Sequence, residues 1–201
     1  MKKNVLTTVL FLLVCFLNAE NDLPYDLNAD DSQFNDSVTL EFCLQDSKKN
    51  NYCLYHNVRK IKNFNYDNFE IFKEWTIKTE TIRWDKQENS DLSVTWNHKN
   101  GAILFLETSS PDYSTKRGVR VGDPISKVKQ VYGDDSNLSV FDYKEKKYKN
   151  INSERGKKFL LLESNEGYSL NAGNMIEEEM MTILFFNSNG KISKILIQIG
   201  N

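Results

Sequence analysis

Apolar and polar positions along this chain fall into short alternating runs separated by polar, Asn-rich connections, the pattern of β-strands joined by tight turns. Val38 to Leu44 and Tyr52 to Tyr55 are β-prone and flank the polar connection Asp46 to Asn51, which predicts a hairpin. Ser93-Val94-Thr95-Trp96 and Ala102-Ile103-Leu104-Phe105-Leu106 flank a turn ending in Asn100-Gly101. The arrangement returns with Thr182 to Phe186 and Lys191 to Ile197 on either side of Asn189-Gly190. Asn-Gly between apolar runs is a strong hairpin signal, because both residues tolerate positive φ. The recurrence suggests two sheet-forming halves that each end in a hairpin. Ile192 to Ile197 carries apolar area on both faces and predicts a central or doubly covered strand. From Asn63 to Trp84 the pattern is mixed: Asp67 and Glu70 can cap a helical turn carrying Phe69, Phe72 and Trp75, and Thr76 to Trp84 alternates. A short helix feeding a strand is expected there.

The N-terminus follows a different rule. Lys2 and Lys3 precede an apolar run from Val5 to Leu17 that closes at Ala19, the layout of a secretory signal peptide over residues 1–19. The run is too short to span a bilayer. Leu12-Leu13-Val14-Cys15 loosely resembles a lipobox, but Val14 stands where a small residue is usual and the apolar run continues through Phe16 and Leu17. Soluble export is therefore favoured, with membrane contact only if Cys15 is lipidated. Residues 20–37 are Asp- and Asn-rich without periodicity and read as a flexible lead-in. Residues 38–110 then form a β-rich N-terminal half, and residues 111–201 a helix-plus-antiparallel-sheet C-terminal half. The expected class is α+β: short helices packed on antiparallel sheet, in two halves whose matching turns suggest a relation.

An exported chain keeps its cysteines in an oxidising compartment. Cys43 and Cys53 lie opposite one another in a hairpin centred near Lys48, close enough for a disulfide, and their spacing is not the C-x-x-C of a redox couple. Composition adds exclusions: 201 residues with 39% hydrophobic and 27% charged positions are neither disordered nor collagenous. Removing Lys2 and Lys3 with the leader takes the net charge from −2 to −4, without a single-sign block, so no nucleic-acid partner is expected.

Thr115 to Gly133 is the most organised stretch. Gly118 and Gly122 allow backbone angles closed to other residues, Asp123 reads as an N-cap, Pro124 as the first helical position and Gly133 as a left-handed C′ residue. Ile125, Val128, Val131 and Tyr132 form an apolar stripe, with Ser126, Lys127, Lys129 and Gln130 facing away. The pattern T-x-R-G-V-x-V-G-D-x-x-x-K-V-x-x-x-Y-G, carried by Arg117, Gly118, Gly122, Asp123, Val128, Tyr132 and Gly133, resembles the repeat of the SmpA/OmlA (BamE) envelope lipoproteins and the β-lactamase-inhibitor-like secreted proteins, over residues 115–199. The resemblance implies a helix-plus-sheet unit with a protein-binding surface on its open sheet, and no catalytic residue.

Chemistry is sparse elsewhere. His56 and His98 are the two histidines, with no nucleophile elbow, zinc spacing or phosphate-binding glycine loop to accompany them. Glu177-Glu178-Glu179, Lys144 to Lys149 and Lys157-Lys158 read as solvated ends and edges, and Arg117 and Arg120 as solvent-exposed residues at the helix entry. The aromatics are the remaining candidates: Tyr55, Trp75, Trp84 and Trp96 lie on or at the ends of expected strands and could anchor a partner. The expectation is an exported, non-catalytic protein that binds another protein in the cell envelope, with no metal and no cofactor. The alternatives are an envelope hydrolase with an unidentified carboxylate site and a carbohydrate-binding module.

Overall fold

Alternating runs become strands, and ten of those strands join into one sheet. The computed structural model describes residues 39–62, 64, 68–77, 80–88, 91–151, 159–174 and 179–200. The signal-peptide and lead-in expectations lie outside these residues, as do Lys157-Lys158 and most of the Glu177 to Glu179 cluster. The elements in chain order are β1 (Cys43–Gln45), β2 (Asn51–Cys53), β3 (Glu70–Ile77), β4 (Glu80–Glu88), β5 (Ser93–Asn97), β6 (Ile103–Thr108) and β7 (Ser114–Thr115). The helix α1 (Ser126–Tyr132) follows, then β8 (Ser136–Asp142), β9 (Lys147–Asn150), β10 (Phe159–Ser164), β11 (Gly167–Asn174), β12 (Glu179–Ser188) and β13 (Lys191–Gly200).

The large sheet has the order β3-β4-β5-β6-β13-β12-β11-β10-β8-β9. Every neighbouring pair is antiparallel except β8 beside β10, which is parallel. β13 sits mid-sheet, between β12 and β6, with Leu106 opposite Ile197 and Thr108 opposite Ile195. That pairing makes strands from residues 70–108 continuous with strands from residues 136–200. A second sheet, β2-β1-β7, also crosses the boundary, since Leu44 pairs with Thr115.

The α+β expectation is corrected: the protein is mostly β, with one helix of seven residues among the described residues. Two local signals explain the difference. Phe69, Phe72 and Trp75 suggested a helical stripe, but Phe72 and Trp75 lie in β3, where a register shift between Ile71 and Lys73 interrupts strict alternation. Asp123 and Pro124 looked like the start of a helix. The helix begins two residues later behind Ile125, with no side-chain cap, and Asp123 Oδ2 instead accepts from the Arg120 backbone N–H at 2.9 Å and from Lys127 Nζ at 2.9 Å. Gly133 is right-handed at φ −62 and leads into a 3-10 turn, so it is not a left-handed C′ residue. Gly118 (φ 79) and Gly122 (φ 89) do take the left-handed conformation their turns require.

The core lies on one face of the ten-stranded sheet. Val94, Trp96, Ile103, Leu106, Leu161, Leu170, Ile183, Phe185, Ile195 and Ile197 point to this face and are at most 3% exposed. Phe42, Leu44, Tyr52, Leu54 and Val58, from β1, β2 and their flanks, complete the same cluster, with the Phe42 ring 6.4 Å from Phe159. α1 contributes Val128 and Tyr132, both 0% exposed, the latter 5.9 Å from the Phe185 ring. Cys43 lies opposite Cys53 and the two form a disulfide with Cα atoms 4.1 Å apart.

Candidate interaction surface

The alternation that buries one face of a sheet aims the intervening residues at the other. Leu184 and Phe186 alternate with Ile183 and Phe185, Leu196 with Ile195 and Ile197, Leu160 and Leu162 with Leu161, and Phe105 with Leu106. The register aligns these residues into rows. One row runs Glu107, Leu196, Leu184, Ser169 and Leu162 across β6, β13, β12, β11 and β10. The next runs Phe105, Gln198, Thr182, Asn171 and Leu160. The apolar members of both rows are half-buried, although their neighbours on the core face are fully enclosed. None of the described elements is packed over them; the contacts of β1, β2 and α1 are to the other face.

Lysine stems shelter part of this open face. Lys194 Nζ lies 4.6 Å from the Phe186 ring centroid and 3.6 Å from Glu107, Lys73 Nζ lies 5.8 Å from the Trp84 ring, and Lys86 Nζ lies 5.9 Å from the Phe72 ring. Trp84 and Phe105 pack together at 5.6 Å, with Phe72 against Phe105 at 6.5 Å. In the middle of the rows is a polar patch that satisfies itself: Thr182 Oγ1 and Ser169 Oγ both donate to Asn171 Oδ1, and Asn171 Nδ2 donates to the carbonyls of Leu160 and Ser169. The resulting surface is aromatic at the β3–β6 end, with leucines on either side of the polar patch and ammonium and carboxylate groups at its edges.

The four aromatic candidates separate. Trp84 is half-buried on the open face, and Trp75 lies in β3 with its backbone paired to Ile82. Trp96 is 3% exposed in the core, where its ring meets Phe64 at 5.9 Å and Phe69 at 6.0 Å, so it is not available to a partner. Tyr55 is half-buried against the core with a positive φ of 66, and its backbone N–H donates to Ile103 O. Leu160, Leu162, Leu184 and Leu196 were missed as candidates, because leucine in a strand carries no signal that distinguishes an open face from a covered one.

Arg117 is not the solvent-exposed residue expected. Its guanidinium forms a two-pronged pair with Glu41, Nε and Nη2 each 3.0 Å from a carboxylate oxygen, and Nη1 reaches Asp135 at 2.6 Å and the Val131 carbonyl at 3.2 Å. The same group lies over the Tyr132 and Phe159 rings at 5.0 and 5.8 Å. Burial alone would lower its pKa, but the bonds to Glu41 and Asp135 raise it. Lys127 is also engaged, donating to Gly118 O as well as Asp123. The resemblance motif is therefore a structural knot that ties the turn before α1 to the segment before β1.

A second knot holds the Asn100-Gly101 hairpin. Asp85, 1% exposed, lies 2.6 Å from Arg83 Nε and 2.5 Å from His98 Nδ1, while the His98 backbone N–H donates to Arg83 O at 2.9 Å. A carboxylate-oriented imidazole is part of a hydrolytic triad, but among the described residues no hydroxyl or thiol is hydrogen-bonded to His98. No cluster of three or more His, Cys, Asp or Glu that could hold a metal occurs among the described residues. His56, far from this pair in the chain, is half-buried, and burial lowers its pKa below the ordinary imidazole value.

No protein-family model matches the chain, and no curated protein matches it. Among solved structures, the crystal structure of the uncharacterized protein yfeY from Escherichia coli is similar to it at 12% identity, covering 65% of this chain and 81% of that one. The TM-score is 0.25, too low for the likeness to inform fold or function.

Proposed function

We propose that this chain is an exported, non-catalytic binding protein of the cell envelope that receives a partner protein on the open face of its ten-stranded sheet. The observation that carries the reading is the aligned set Trp84, Phe105, Leu196, Leu184, Leu162 and Leu160, half-buried and uncovered by any described element, on a sheet whose other face carries the core. Partly exposed apolar side chains gathered on one face, around a polar patch, mark interaction sites on proteins. The Cys43–Cys53 disulfide supports an oxidising compartment, and no helix among the described residues is long and apolar enough to cross a membrane. The likeness of residues 115–133 to envelope lipoproteins and secreted inhibitors points the same way.

The test is site-specific photo-crosslinking in cells expressing the full chain, with the photoreactive residue at Phe105 or Leu184 and, as a control, at exposed Lys144. The expected result is a discrete adduct from the two open-face positions, absent from the control and abolished by Leu162→Asp in a protein that still melts cooperatively. Equal labelling from all three positions overturns the assignment of this face.

A further inference from the structure

Asn-Gly occurs twice in this chain, at Asn100-Gly101 and Asn189-Gly190. The dipeptide has a chemistry of its own. Glycine has no Cβ to shield its backbone nitrogen, so that nitrogen can reach the side-chain carbonyl carbon of the preceding asparagine and close a five-membered ring. Closure requires the peptide group between the two residues to swing towards the side chain, and a folded chain permits this only as far as that group can leave its hydrogen bonds. Sequence makes the two sites equally reactive; the fold does not.

The Asn100–Gly101 peptide group is held on both sides. Its N–H donates to Asn97 O at 2.8 Å, and its C=O accepts from Asn57 Nδ2 at 2.9 Å. Asn100 Oδ1 accepts from the Ala102 N–H at 3.0 Å, Gly101 O accepts from the Val58 N–H at 2.9 Å, and Asn57 Oδ1 stands 2.5 Å from where a Cβ on Gly101 would lie. The Asn189–Gly190 peptide group has one tie among the described residues, from the Gly190 N–H to Asn187 Oδ1 at 3.0 Å, and that acceptor belongs to an exposed side chain. Asn189 is itself exposed, its carboxamide makes no hydrogen bond among the described residues, and nothing lies within 4 Å of a Cβ placed on Gly190.

We propose that Asn189 is a site of spontaneous covalent modification in the folded protein, losing its side-chain amide through a cyclic imide with Gly190, and that the fold protects Asn100. Hydroxide takes the Gly190 N–H proton, the nitrogen forms a bond to Asn189 Cγ, and the Cγ–Nδ2 bond breaks, the departing nitrogen taking a proton from water and leaving as ammonia. Water then adds to one of the two imide carbonyls. Opening at Cγ leaves aspartate in a normal backbone, whereas opening at the backbone carbonyl leaves isoaspartate, whose main chain runs through Cβ and Cγ. The net change consumes water and releases ammonia, with no oxidation or reduction. Isoaspartate lengthens a two-residue turn that sets Ser188 opposite Lys191. The turn is also gripped from outside: Gly190 O accepts from the Ile125 N–H at 2.9 Å, Ile192 O from the Gly122 N–H at 2.8 Å, and Asp123 O from the Ile192 N–H at 2.9 Å. Modification at Asn189 therefore loosens the segment that leads into α1.

The test is incubation of the folded protein in mildly alkaline buffer beside a sample unfolded in urea, with peptide mapping by mass spectrometry to follow each asparagine. Asn189 is expected to convert about tenfold or more faster than Asn100 in the folded protein, and at a similar rate in urea, where only the dipeptide matters. Asn57→Ala, its folding verified by a thermal melt, should speed conversion at Asn100 and leave Asn189 unchanged. Equal rates at the two sites in the folded protein, or an Asn189 that survives while the urea sample converts, overturn the proposal. The aged parent should melt at a lower temperature than the fresh protein, whereas Asn189→Gly, which suits a positive φ, should melt unchanged after the same incubation. An aged parent with Asn189 converted and its melting temperature intact overturns the link to α1.

Discussion

Leu184 and Phe185 are neighbours in β12, yet they belong to different kinds of surface. Phe185 is 1% exposed against Tyr132, whereas Leu184 is half-buried among Leu196 and Ser169 with no described element above it. One backbone thus presents a packed core to one side and an unpartnered apolar surface to the other. The difference lies in what the described elements supply: β1, β2 and α1 pack on one face of the sheet, and none of the described elements packs on the other. An apolar side chain is consequently not equivalent to a stabilising one, and the two faces should separate sharply under mutation.

The largest effect is expected from Phe185→Ala, which empties a site enclosed on all sides and should cost about 3–5 kcal/mol in a denaturant melt. A loss near 1 kcal/mol would mean that the cover over this face is loose. Arg117→Ala comes next, at about 2–3 kcal/mol, because it strands Glu41 and uncovers Tyr132 and Phe159. Arg117→Lys should recover only part of that loss, since an ammonium cannot reproduce the two-pronged pair. Exchanging Cys43 and Cys53 together for Ala frees a short loop in the small sheet and should cost about 2–3 kcal/mol, measured against the oxidised parent.

Alkaline titration discriminates the faces in another way. Burial raises the pKa of Tyr132 to about 12, and burial also raises that of Tyr52 to about 12, with the Tyr113 and Asp46 charges adding to it. The unfolded phenols ionise near pH 10, so the folded state holds more protons above that point and stability should fall as pH rises from 10 towards 12. Tyr132→Phe should flatten the decline, read by circular dichroism melts; an unchanged slope would remove Tyr132 as its source. The smallest effect belongs to Leu184→Ala on the open face, expected to cost about 1 kcal/mol or less and to act on partner capture instead. A cost equal to that of Phe185→Ala would show that the open face is covered in solution.

Much of the sheet was legible in the sequence because its determinants are local. The Asn-Gly turns place β5 beside β6 and β12 beside β13, with Asn189 (φ 54) and Gly190 (φ 79) in the left-handed conformation, and the opposed cysteines fix the β1–β2 register. Helix boundaries were less legible, since an Asp-Pro pair terminates a turn as readily as it starts a helix; Asp123 binds backward to Arg120. Arg117 could not be read at all, because its main partner, Glu41, lies 76 positions away. The open face was hidden for a related reason. Ile192 to Ile197 is apolar on both sides, as a doubly covered strand would be, and only the tertiary arrangement shows which side received a cover.

The position of β13 in the middle of the sheet has a consequence for the order in which the molecule can be completed. The ribosome makes β13 after both of its neighbours, β6 and β12. Until residues 191–200 have emerged, the edges of β6 and β12 that β13 pairs in the finished sheet have no strand to pair with there. The nascent chain thus carries two adhesive edges that a single late strand extinguishes at once. The interval before closure is therefore the period of greatest exposure to aggregation.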